Sequence, residues 1–132
     1  MSLPMTQPYL PIVIVEDDEG MRRAMARLLN AAGYATVAFE SGEALLRAGA
    51  AEHAACFVFD VRLPGMSGFE LRRHLSPAGT RVPVIFVSAH EPPPGETVEQ
   101  AGVVAHLLKP FTRSALLDAI ERAIPTTPRE GY

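Results

Sequence analysis

The sequence predicts an α/β domain built on a parallel β-sheet. Two observations carry this. Five short apolar runs recur along the chain, and segments of helical period alternate with them. At 132 residues, 48% hydrophobic and 20% charged, the chain is sized for one compact domain with a real core.

The first run is Ile12 to Val15. After it, Met21, Met25, Leu28, Leu29 and Ala32 recur at helical spacing, and Gly33 stands where a C-terminal cap is expected. The second run, Ala35 to Phe39, has the weakest apolar pattern, and Ser41 then caps a shorter helix carrying Ala44, Leu45 and Ala48. The third run is Cys56 to Phe59; a helix over Gly68 to Leu75 follows, with Phe69, Leu71 and Leu75 apolar, stopped before Pro77. After the fourth run, Val84 to Val87, the segment Glu91-Pro92-Pro93-Pro94-Gly95 cannot be helix interior. Only about Glu96 to Ala101 is left for a short helix before Gly102. The fifth run is Val104 to Leu108. The final helix carries Leu116, Leu117, Ile120, Ala123 and Ile124, opened by Thr112 and closed by Pro125. Residues 1–10 and 125–132 have no apolar period and are expected to be a flexible segment and a flexible tail or linker around a domain of residues 11–124. Met1-Ser2-Leu3 and Glu130-Gly131 are compatible with expression scars on a piece of a longer protein.

The formal net charge is −3 and no run is rich in lysine or arginine, so neither direct nucleic-acid binding nor adhesion to an anionic membrane is expected. The single cysteine, Cys56, lies in an apolar run; it excludes an internal disulfide, fits a reducing compartment and reads as a small buried hydrophobe. No apolar stretch approaches the roughly 20 residues of a membrane span, and Met1-Ser2-Leu3-Pro4 lacks signal-peptide character. A cytoplasmic location is the expectation.

In an open parallel sheet, ligands bind beyond the carboxyl ends of the strands. After the first run come Glu16-Asp17-Asp18, after the third Asp60, after the fourth Ser88 and after the fifth Lys109-Pro110. Carboxylates gathered around one lysine repel each other unless a cation is present, and all-oxygen ligands suit a hard ion such as Mg²⁺. A carboxylate nucleophile, a divalent cation, a lysine and a hydroxyl together make a phosphoryl-acceptor site.

These residues carry a family resemblance. Ile12 to Glu19, Val58 to Gly68, Val84 to His90 and Leu107 to Phe111 resemble, in order and spacing, the four signature segments of two-component response-regulator receiver domains, across about residues 11 to 124. The resemblance implies a flavodoxin-like (βα)₅ fold, a doubly wound five-stranded sheet of order 2-1-3-4-5. It implies Asp60 as phosphoacceptor, taking its phosphoryl group from a sensor histidine kinase or a phosphotransfer protein, with Lys109 and Ser88 assisting. Mg²⁺ would be held by Asp17, Asp60 and the Arg62 backbone carbonyl, with Glu16 acting through water and Asp18 outside the inner set. A one-residue shift to Asp17-Asp18 as the acidic pair is the alternative. The Arg62 and His90 side chains stand at positions that in the family tune the phosphoryl lifetime. Ser88 and His106 stand at the switch positions, His106 where the family usually has Tyr or Phe, and Lys109-Pro110 resembles the family's cis peptide.

The resemblance further implies a signalling switch rather than an enzyme: it would catalyse only its own phosphorylation and slow autodephosphorylation. The switched surface would be the last two helices, the last strand and the loop between them, with a phosphorylation-dependent homodimer as one output. The expectation is a stand-alone receiver or the isolated N-terminal receiver of a longer response regulator; Ser88-Ala89-His90 and the loop Leu63 to Gly68 look closest to receivers that precede a helix-turn-helix DNA-binding domain, which is not in this chain. Two departures stand out, the triple proline and a connection from Ser88 to Lys109 about one residue short.

Each piece alone has an ordinary explanation. Acids after a strand are commonly solvated or stabilise the following helix, as Asp18 or Glu19 would here. Lys109 singly would be a plain surface lysine, Ser88 singly would be a weaker signal still, and His106 is as readily a half-buried filler as a switch. His53, His74 and His90 have no metal-ligand spacing, and Gly65 and Gly68 are turn glycines in no nucleotide-binding pattern. An aspartate-nucleophile phosphatase would want a second acid where Arg62 stands. A flavin-binding relative would want a glycine- and hydroxyl-rich loop where the chain is acidic. A receiver-shaped interaction module that signals without phosphorylation is the remaining alternative.

Overall fold

In the computed structural model, residues 10–75, 82–91 and 102–125 are described, with the side chains of 51 and 52 left aside. Five parallel strands, β1 (Ile12–Val15), β2 (Thr36–Phe39), β3 (Cys56–Asp60), β4 (Val84–Ser88) and β5 (Val103–Leu108), form one sheet of order β2-β1-β3-β4-β5. The described helices are α1 (Glu19–Ala31), α2 (Gly42–Ala48), α3 (Gly68–Leu75) and α4 (Arg113–Ala123). Both the α/β class and the strand order are those expected. The short helix expected over Glu96 to Ala101, the stop at Pro77 and most of the two loose ends lie outside the described residues.

Strands β1, β3 and β4 are buried throughout, because helices cover both faces of a parallel sheet. Alternate residues feed two cores. Ile12, Ile14, Cys56, Val58, Ile85 and Val87 pack with Met25 and Leu29 of α1 and Leu116, Ala119 and Ile120 of α4. Val13, Val15, Phe57, Phe59, Val84 and Phe86 pack with Leu45 of α2 and Leu71 and Leu75 of α3. At the sheet edges, Val37 of β2 and Leu108 of β5 remain 39% and 42% exposed, which explains why the second run is the least apolar. Among the described residues, no helix is long and apolar enough to cross a membrane.

Side-chain caps start the helices: Asp18 accepts from the Met21 amide (2.8 Å), Ser41 from Ala44 (3.1 Å) and Thr112 from Ala115 (3.0 Å). Ser67 and Glu70 cap α3 reciprocally, at 3.0 and 2.9 Å. Helix α1 ends as Gly33 takes a φ of +101°, and the Tyr34 amide reaches back to the Leu29 carbonyl at 3.0 Å. Ala32, expected on the apolar stripe, is instead the exposed cap residue, because the chain leaves the helix there. A 3₁₀ turn over Ala50–His53, entered through Gly49 at φ +66°, was not expected from the sequence.

Cys56 is fully buried, and burial pushes its thiol up to about 12. A thiol reagent at pH 8 should therefore leave the folded protein unmodified and label Cys56 at full stoichiometry in denaturant, read by intact mass.

Candidate functional site

The sheet delivers the polar residues to one edge. Glu16 follows β1, Asp60 and Ser88 are the last residues of β3 and β4, and Lys109 follows β5. Parallel pairing of β1 with β3, β3 with β4 and β4 with β5 brings these strand ends side by side. Between Val84 and Ile85 the β4–β5 register shifts by one residue, so that His106 lies opposite Phe86 and Leu108 opposite Ser88. The Lys109 amide then donates to the Ser88 carbonyl at 2.7 Å.

At the centre lies one ammonium between two buried carboxylates. Lys109 Nζ donates to Asp60 Oδ2 at 2.8 Å and to Glu16 Oε1 at 2.9 Å. Glu16 is fully buried and Asp60 is 4% exposed. Their remaining oxygens accept backbone amides, Asp60 Oδ1 from Arg62 (3.0 Å) and Glu16 Oε2 from Asp18 (3.1 Å). Burial raises the pKa of Glu16, opposed by its bonds from Lys109 and the Asp18 amide and reinforced by the nearby Asp60 charge. Burial alone would lower the pKa of Lys109, but its bonds and charge attraction to Asp60 and Glu16 leave it raised.

Oxygens of Glu16, Asp17 and Asp60 lie within 4.8 Å of one another. An all-oxygen set whose negative charge one lysine does not balance fits a hard divalent cation such as Mg²⁺. Asp18 stands apart from this group, because its carboxylate caps α1. Arg22 of α1 holds the loop from behind, donating to the Glu16 carbonyl at 2.8 Å and the Asp17 carbonyl at 3.4 Å.

The second constellation is separate. The buried Ser88 hydroxyl donates to the His90 carbonyl at 2.5 Å and meets His106 Nε2 at 2.9 Å. With its proton on the carbonyl, the hydroxyl accepts from Nε2–H, leaving Nδ1 as a buried acceptor without a hydrogen-bond partner among the described residues. The His106 ring sits 6.4 Å from those of Phe69 and Phe86. It borders a cleft of about 670 Å³ shared with Arg62, Glu70, Arg73, His90 and Glu91. The Arg62 and His90 side chains are exposed, as are those of His53 and His74. Lys109-Pro110 is cis.

The β3–α3 loop is shaped by two glycines. Gly65 has φ +73°, and Gly68 packs so closely on the Asp60 carbonyl that a Cβ there would collide with it. The Gly68 amide donates to the Val61 carbonyl at 2.9 Å. One residue that sequence reasoning missed is Glu43 of α2, which accepts the Met66 amide at 3.1 Å from 23 residues away. No local pattern signals that contact.

The model of the response regulator receiver domain family matches residues 12–121. The chain belongs to that family. Over 113 residues it is 36% identical to nodulation protein W of Bradyrhizobium diazoefficiens, covering 85% of this chain and 50% of the relative. It is 32% identical over 123 residues to the transcriptional regulatory protein FixJ of Azorhizobium caulinodans, covering 92% and 58%. The chain thus spans about half the length of the curated relatives it matches. Among solved structures, the receiver domain of the sensor histidine kinase PA1611 from Pseudomonas aeruginosa, described with magnesium in its active-site cleft, superposes with a TM-score of 0.77 at 27% identity. That match covers 90% of this chain and all of that one (100%).

Two predictions follow from this geometry. Gly68→Ala should destabilise the fold by about 1–3 kcal/mol in denaturant melts, the usual cost of forcing a methyl group into a closed contact. Burial lowers the pKa of His106, against the opposing pull of Glu91 and the His90 carbonyl. The unfolded chain therefore takes up that proton first as pH falls, so this residue's contribution is present above the ordinary value of 6.5 and lost below it. Between pH 7 and 5, wild type should lose more stability than His106→Phe.

Proposed function

We propose that this chain is the phosphoacceptor switch of a two-component signalling system. An Asp60 carboxylate oxygen attacks the phosphorus of a phosphohistidine on a sensor histidine kinase or phosphotransfer protein. The P–N bond breaks, its electron pair leaves with the imidazole, and an aspartyl phosphate forms. The observation that carries this reading is Lys109, whose ammonium is shared by Asp60 Oδ2 at 2.8 Å and Glu16 Oε1 at 2.9 Å. It holds the nucleophile in place, and it supplies positive charge for a phosphoryl oxygen. Asp17, Asp60 and the Arg62 carbonyl would hold Mg²⁺, with Glu16 acting through water; once bound, the ion offsets charge on the phosphoryl oxygens.

Ser88 is the coupling hydroxyl. Leaving the His90 carbonyl and His106 for a phosphoryl oxygen, it would free the imidazole to move and change the surface of β5, α4 and the preceding segment. The exposed Arg62 and His90 side chains, two residues beyond Asp60 and Ser88, set how long the phosphoryl group lasts. The chain's own chemistry is limited to phosphorylation and slow autodephosphorylation. Residues 11–124 make up the receiver, flanked by the segments 1–10 and 125–132. The protein would be cytoplasmic; in a transcriptional regulator, the kind of protein FixJ's name describes, a DNA-binding output domain would follow, with the receiver itself touching no nucleic acid and signalling in part through a phosphorylation-dependent homodimer.

Incubation with acetyl phosphate and Mg²⁺ should add one phosphoryl mass to wild type and none to Asp60→Ala; equal labelling of both would contradict the assignment. Asp17→Ala should abolish Mg²⁺ binding and with it the Mg²⁺-supported labelling. Asp18→Ala should retain both while losing about 0.5–2 kcal/mol of stability with its helix cap. The reverse pattern would move the acidic pair to Asp17-Asp18.

A further inference from the structure

Glu43 lies in the first turn of α2, where a carboxylate ordinarily does no more than stabilise the helix N-terminus. Here it also reaches across to the β3–α3 loop. Its Oε2 accepts the Met66 amide at 3.1 Å. Both of its oxygens lie over Gly65, where an added Cβ would stand 2.7 Å from Oε2 and 3.3 Å from Oε1. The φ of +73° at Gly65 disfavours a side chain, and its bare Cα leaves the Glu43 carboxylate where it stands. The same short loop leaves β3 at Val61; the Arg62 amide donates to Asp60 Oδ1 at 3.0 Å, and the loop closes where the Gly68 amide meets the Val61 carbonyl at 2.9 Å.

We propose that Glu43 is a positioning residue for the acceptor loop: by gripping the Met66 amide over Gly65, it holds the turn that sets the Arg62 backbone against Asp60. This rests on the functional reading above, in which the Arg62 carbonyl is a Mg²⁺ ligand and Asp60 the nucleophile. α2 has no other assigned role at the site, and its own N-cap, Ser41, lies two residues away. Helix stability and loop geometry can thus be perturbed separately.

The test compares Glu43→Ala, Glu43→Gln and Ser41→Ala on two readouts. One is the Mg²⁺ concentration that half-saturates phosphorylation by acetyl phosphate; the other is amide hydrogen exchange at Arg62 and Met66 without donor. Glu43→Ala should raise the Mg²⁺ requirement about three- to tenfold and speed both amides, as loss of a charge-assisted bond predicts. Glu43→Gln retains an acceptor oxygen without the charge and should bring both values part of the way back toward wild type. Ser41→Ala should lower the melting temperature and leave both readouts unchanged. Equal effects of Glu43→Ala and Ser41→Ala, or exchange at Arg62 unchanged in Glu43→Ala, would overturn the proposal. If wild type takes no phosphoryl group the functional reading fails by itself, and the exchange arm still decides whether Glu43 holds the loop.

Discussion

One shared ammonium is the constraint on which the rest of the structure depends. Glu16 is fully buried, and Asp60 is nearly so, on adjacent strands. Two carboxylates so placed have each lost water and repel one another, and a cation between them offsets both costs. Lys109 meets both from the end of β5, two strands away from Asp60 in the sheet. Local structure cannot create this arrangement. It requires the crossovers that place β3 between β1 and β4, with β5 at the edge, and hence the whole two-layered core of apolar residues that holds the strands parallel.

Around this centre, short-range devices aim the groups. Asp18 caps α1 and gives its amide to Glu16, so the acidic loop is tied to the helix that follows it. Arg22 fastens the carbonyls of that loop. On the other side, Gly68 allows α3 to start against the Asp60 carbonyl, and Glu43 holds the turn between. The Lys109 amide is bonded to the Ser88 carbonyl, so the lysine and the hydroxyl are joined by one backbone link.

Much of this was legible in the sequence because the strands are short, apolar and each followed by its functional residue. The runs at Ile12, Cys56 and Val84 mark buried strands, and the polar residues after them are the ones the sheet edge collects. The edge strand at Thr36 was harder to read, since exposure at Val37 and Ala38 dilutes its pattern. The Ser67–Glu70 capping box was present at its usual spacing but sits in a glycine-rich loop that reads first as a turn. Ala32 fits the helical period and yet lies outside the helix, because Gly33 ends the helix before that period does. Glu43 was out of reach. Its partner is 23 residues away, and only the packing of α2 beside the β3–α3 loop brings them together.

If the shared ammonium is the central constraint, removing it must cost stability, and an external cation must offset the loss. Urea unfolding of Lys109→Met in chelator and in excess Mg²⁺, set beside wild type, measures both. Stranding the two carboxylates should destabilise the variant by about 3–5 kcal/mol in chelator, as breaking a buried ion pair does. Mg²⁺ should then recover more stability in the variant than it adds to wild type. A variant as stable as wild type in chelator, with no larger response to Mg²⁺, would contradict the account.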